Sequence, residues 1–151
     1  MTSRLRTGLA ALLFSLTGAA YGGDSAQSIK VYKSPNCGCC GDWVKHLEDN
    51  DFEVDVHNTR NLNPIKAEAG LTPALASCHT AFIDGYVIEG HVPASDIRRL
   101  LEEAPKAQGL AVPGMPVGSP GMEMGDREDE YQVLLFNDEG QSRVFANYPE
   151  G

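Results

Sequence analysis

Three cysteines fall within four residues in the run Pro35-Asn36-Cys37-Gly38-Cys39-Cys40-Gly41. Cys37 and Cys40 have the spacing of a redox dithiol, in which Cys37 is the nucleophile and Cys40 the resolving thiol. Cys39 departs from that plan. A third thiol between the pair invites scrambling if the site only exchanges disulfides, whereas it is a further ligand if the site holds a soft metal. The fourth and last cysteine, Cys78, is followed at once by His79. Cu(I) prefers thiolate and thioether ligands, and Met115, Met122 and Met124 supply thioethers in the second half of the chain. Met122 and Met124 are two residues apart, which puts both sulfurs on one side of an extended segment. Zinc is the competitor: Cys37, Cys39 and Cys40 with Cys78 or His79 make a closed four-ligand set. The residues therefore leave three readings: a copper site, a zinc-stabilised binding module, and a thiol-disulfide oxidoreductase. Three clustered thiols and a single distant one do not describe a disulfide scaffold.

These side chains need elements to hold them. Residues 28–32 alternate polar and apolar, as a strand does. Cys40, Trp43, Val44 and Leu47 then recur at helical spacing, so the thiols sit at a helix start, with Asn50 near its end. The unpaired N–H groups and positive dipole end there stabilise a thiolate, most of all at Cys37. Phe52, Val54 and Val56 alternate as a second strand. Asn63-Pro64 starts a short helix, with Asn63 as cap, and Gly70 closes it. Asp84-Gly85 between two apolar runs signals a hairpin. Pro93 opens a third helix with Ile97, Leu100, Leu101 and Ala104 on one face. This α/β order, β-α-β-α-β-β-α with a dithiol at the first strand-to-helix junction, is the thioredoxin arrangement. In that arrangement the segment before the third strand abuts the dithiol and normally holds a cis-proline. Here Cys78-His79-Thr80 stands in its place.

Residues 105–125 are rich in Gly and Pro and are expected to form neither a regular helix nor a central strand. A hairpin around Asp138-Glu139-Gly140 follows. The organisation expected is a signal peptide over 1–22, a metal-binding core over 23–104, and a loop-and-hairpin extension over 105–151 packed on it. The leader carries Arg4 and Arg6, a short apolar run and Ala20-Tyr21-Gly22 at the cut, which reads as export to the periplasm without stable membrane insertion. Losing two arginines and no acid takes the net charge of −9 to −11, which disfavours a nucleic-acid partner. His46 and His57 read as surface residues, His91 as either structural or a ligand, and Trp43 as core or site wall.

The Cys-X-Cys-Cys motif, Ser77-Cys78-His79-Thr80-Ala81, Gly85-Tyr86-Val87-Ile88-Glu89-Gly90-His91-Val92-Pro93 and Val112-Pro113-Gly114-Met115-Pro116-Val117-Gly118-Ser119-Pro120-Gly121-Met122-Glu123 together resemble the CopG family of exported bacterial copper-resistance proteins. The resemblance implies a thioredoxin-like core with a metal-binding C-terminal extension. It implies a thiolate-bridged site of several copper ions at Cys37, Cys39 and Cys40, with Cys78, His79 and the methionines completing it. It also implies a role in copper redox and detoxification. A copper site beside a dithiol can pass electrons, as a copper oxidoreductase does. Sequestration, or hand-over to a periplasmic efflux system, needs only the binding half. A monomer is expected.

Overall fold

The computed structural model describes residues 27–149, so the export signal expected over 1–22 lies outside it. The elements are β1 (Gln27–Lys33), α1 (Gly38–Glu48), β2 (Phe52–Asn58), α2 (Asn63–Glu68), β3 (Thr80–Ile83), β4 (Tyr86–Glu89), α3 (Ala94–Glu103), β5 (Gly109–Ala111), β6 (Tyr131–Phe136) and β7 (Ser142–Tyr148). All seven strands form one mixed sheet in the order β2-β1-β3-β4-β5-β6-β7. The pairs β1–β2 and β4–β5 are parallel, and the others are antiparallel.

The alternation and helical spacing seen in the sequence become the core. Ile29 and Val31 of β1, Trp43 and Leu47 of α1, and Ile97 and Leu100 of α3 are fully buried together with Ile88, Leu110 and Val112. The Trp43 Nε1–H donates to the Val92 carbonyl at 2.9 Å, which ties α1 to the segment leading into α3. Asp84 and Gly85 both have positive φ, 47° and 83°, as a tight hairpin turn requires.

Three expectations need correction. Residues 105–125 do contain a central strand. β5 is only three residues long, yet it lies between β4 and β6 and is buried throughout. Gly109 makes it possible, because a Cβ there would lie 1.8 Å from the Val87 carbonyl oxygen. At α2, Asn63 is the first helical residue and not the cap. The Asn61 side chain accepts its N–H at 3.1 Å instead. Ala104 lies outside the apolar face of α3, exposed at a left-handed C-cap.

The C-terminal hairpin is joined to α3 by polar contacts. Tyr148 donates its hydroxyl to the buried Asp96 carboxylate at 2.7 Å. Arg99 donates to the Phe145 carbonyl at 3.0 Å and lies over that ring.

Candidate metal centre

Cys37 is the N-cap of α1, with no side chain capping the helix start. The first turn therefore offers unpaired N–H groups to the sulfurs beside it. Cys37 and Cys40 are joined by a disulfide, while Cys39 and Cys78 are free thiols. The Cys39 sulfur lies 3.5 Å from that of Cys37. All four cysteine sulfurs lie within 4.8 Å of one another. Cys78, distant in sequence, is brought to the motif because β3 pairs with β1, placing the residues just before β3 next to the start of α1.

A second group that could hold a metal shares Cys78. Its sulfur is 3.3 Å from His79 Nδ1 and 3.1 Å from His91 Nε2, and these three atoms also lie within 4.8 Å of one another. His91 is oriented from behind. Its Nδ1–H donates to the Pro120 carbonyl at 2.8 Å, so Nε2 turns its lone pair to the sulfur. His79 is fully buried against the Trp43 ring at 4.3 Å. Among the described residues, its Nε2 is the buried side-chain nitrogen without a hydrogen-bond partner. Such an orphaned polar atom is unusual in a native interior and fits a site built for a ligand.

Burial sets the protonation of this group. It holds the His79 imidazole well below the usual histidine range, with the neighbouring His91 and Lys66 adding to the effect. It also lowers His91. Both rings are therefore neutral near pH 7, the form in which an imidazole can bind a metal. Burial pushes the Cys78 thiol up to about 11, against a hydrogen bond from Ser77 that lowers it. Only the thiolate is a nucleophile. In metal-free protein, alkylation of Cys78 by iodoacetamide should therefore accelerate about tenfold per pH unit, up to a plateau near 11. A profile that levels off by pH 9 overturns this account of its environment.

The loop after β5 closes one side of the site. Gly114 pairs with Ser77, donating its N–H to the Ala76 carbonyl at 3.2 Å. Gly121 rests on the first turns of α1, where a Cβ would lie 2.7 Å from Trp43 N and 2.8 Å from Cys39 O. Val117 and Ser119 are buried, and Ser119 Oγ donates to the Pro116 carbonyl at 2.7 Å, so packing and hydrogen bonds place this segment. Met122 directly follows Gly121 and is half-buried, whereas Met115 and Met124 are 52% and 61% exposed. The structure thus brings together Cys37, Cys39, Cys40, Cys78 and His79. It sets Gly121, the residue before Met122, against the first turns of α1, and it leaves Met115 and Met124 exposed. His91, left open by the sequence, joins the set, and the Cys78–His91 contact depends on a hairpin register that no local motif displays. His46 is not a plain surface residue: its Nε2 accepts the Ala94 N–H at 3.1 Å, at the start of α3. His57 is half-exposed and pairs with Asp55.

Residues 75–122 match a family model described as "Protein of unknown function, DUF411". That span includes Cys78, His79, His91, Met115 and Met122 but stops short of the cysteine motif. No curated protein matches the chain. A solved structure named "Copper resistance protein copG- Form 2" is 51% identical, over 83% of this chain and 100% of its own, with a TM-score of 0.79. A second, named Form 1, is 52% identical, over 83% of this chain and 99% of its own, with a TM-score of 0.78.

Proposed function

Because the chain belongs to the family of CopG copper-resistance proteins, we propose that it is an exported, periplasmic copper-handling protein whose cargo is held by the reduced cysteine cluster. The observation that carries this reading is the convergence of four cysteine sulfurs with two neutral, buried imidazoles that share one of those sulfurs. Thiolates and imidazoles are a set that suits copper, and Met122 offers one thioether from the neighbouring loop.

Each residue has a part in this scheme. Reduction of the Cys37–Cys40 disulfide frees two sulfurs at the helix start, where the dipole favours their thiolate form. Cys39 adds a third beside them. Cys78 faces them from the start of β3 and yields its proton as metal arrives. His79 and His91 close the far side, with the Pro120 carbonyl fixing which His91 nitrogen points inward. Met122 approaches from the loop. A site of several thiolates and imidazoles accommodates both Cu(I) and Cu(II), so we read the protein as storing copper, interconverting its two states, or passing it to an efflux partner. The first seven elements serve as a thioredoxin-like scaffold for that site.

The test is a competition titration of the reduced protein with Cu(I) and Zn(II) at matched free metal. Copper is expected to win and to give charge-transfer absorption on aerobic loading, which zinc cannot give. Displacement of Cu(I) by zinc at comparable concentration overturns the copper reading. One observation favours a second reading, thiol-disulfide exchange: the Cys37–Cys40 bond is present, with the Cys39 sulfur 3.5 Å from Cys37. Turnover of a disulfide substrate by metal-free protein, with no copper uptake, would select it.

A further inference from the structure

Behind the ligands lies a polar cluster that the copper reading does not use. Glu89 is completely buried at the end of β4. Its Oε1 accepts the Ser77 N–H at 2.6 Å and forms an ion pair with Lys66. Its Oε2 accepts the Thr80 hydroxyl at 2.7 Å, and that hydroxyl accepts Lys66 Nζ–H at 3.0 Å. The carboxylate therefore grips Ser77 and Thr80, the two residues that flank Cys78-His79. Gly90, next along the chain, has φ +73°, and a Cβ there would lie 2.5 Å from Ser77 Oγ. Its absence lets the end of β4 close over Ser77.

Stability does not account for this cluster. A buried ion pair is often no better for folding than apolar residues of the same volume, because desolvation offsets the attraction. A fully buried Glu without a partner is rarer still. Nor does α2 need the pair to complete an apolar face, since it has no buried residue. What the cluster does is geometric. It fixes both ends of a two-residue segment whose side chains are the ligands contributed from outside the cysteine motif.

We infer that Glu89 and Lys66 are positioning residues, a buried clamp that holds Cys78 and His79 at the distance the copper site requires. This deepens the copper reading and rests on it. Lys66 has a second part. It neutralises the carboxylate, so that no uncompensated negative charge stands behind a cluster of thiolates.

The test uses volume-matched changes in the full chain. The double variant Lys66→Met/Glu89→Leu removes the grip and both charges together, so no unpaired buried charge is left behind. Its copper affinity should fall by about ten- to a hundred-fold, and its charge-transfer spectrum should match that of Cys78→Ala. Glu89→Gln keeps an acceptor for the Ser77 N–H and should retain most of the parent affinity. Thr80→Val removes one anchor alone and serves if the double variant fails to fold. It should shift the same spectrum partway.

A metal-free readout separates this inference from the copper reading. Hydrogen exchange at the Ser77 amide, and alkylation at Cys78, should accelerate in the double variant while β1 and β3 stay protected. Parent affinity and spectrum in a folded double variant, or in Thr80→Val, overturn the clamp. A parent that takes up no copper, with Ser77 still loosened in the variant, overturns the copper reading and leaves the clamp as a holder of Cys78 and His79 for other chemistry.

Discussion

Cys39→Ser is expected to strip the site of well over one sulfur's share of copper while leaving the fold intact. Cys39 is outside the disulfide and outside the apolar core, so its loss opens no cavity. Cys39 is half-buried and serine is close to it in size, so the change should cost little stability, about 0.5 kcal/mol. Its sulfur nevertheless lies within 4.8 Å of those of Cys37, Cys40 and Cys78, close enough for one metal ion to be shared between sulfurs. If sulfurs are shared, removing one undoes the coordination of more than one ion. Copper per chain, measured after reduction, loading and passage over a competing chelator, should fall far below three-quarters of the parent value, the share left by three of four sulfurs. A loss in proportion to the sulfur removed would mean independent sites. The serine variant should still form the Cys37–Cys40 disulfide in air, which shows that the remaining thiols are in place.

Much of this arrangement was legible in the sequence because it is local. The helix carrying the thiols announces itself through Cys40, Trp43, Val44 and Leu47, and the same four residues are the buried ones. The β3–β4 hairpin follows from Asp84-Gly85, where two successive residues take positive φ. What the sequence hid depends on contacts between distant segments. β5 has three residues ahead of a Pro-rich stretch and no alternation to display, and only the pairing of Gly109 with Val87 reveals it. His91 looks like any histidine after a hairpin until the Pro120 carbonyl and the Cys78 sulfur are seen on its two sides. Glu89 and Lys66 are ordinary charged residues in sequence. Their burial arises because Thr80 and Glu89 face each other across the β3–β4 ladder.

Gly109→Ala is expected to be among the most damaging single substitutions in the chain. The added Cβ would lie 1.8 Å from Val87 O, 2.7 Å from Val87 C and 2.8 Å from Val87 N. All three are backbone atoms of β4, so no rotamer change relieves the clash, and the strands must separate. β5 is the strand that joins β4 to β6, and the β6–β7 hairpin reaches the rest of the sheet through it. The same displacement pulls on Val112, whose N–H donates to the Glu89 carbonyl at 2.9 Å, and on Gly114, which pairs beside Cys78. Overpacking a well-filled core costs about 1–3 kcal/mol and occasionally more. A clash with backbone in a central strand belongs at the top of that range, so a loss of roughly 3 kcal/mol is expected in urea unfolding of the metal-free protein. Gly41→Ala is the matched control. It lies inside α1, a Cβ there meets nothing within 4 Å, and its φ is not positive. Alanine in a helix interior is better than glycine by roughly 0.5–1 kcal/mol, so that variant should gain stability. If Gly109→Ala instead unfolds within about 1 kcal/mol of the parent, β4 and β5 are not closely paired. The loop that closes one side of the cysteine cluster would then need another means of support.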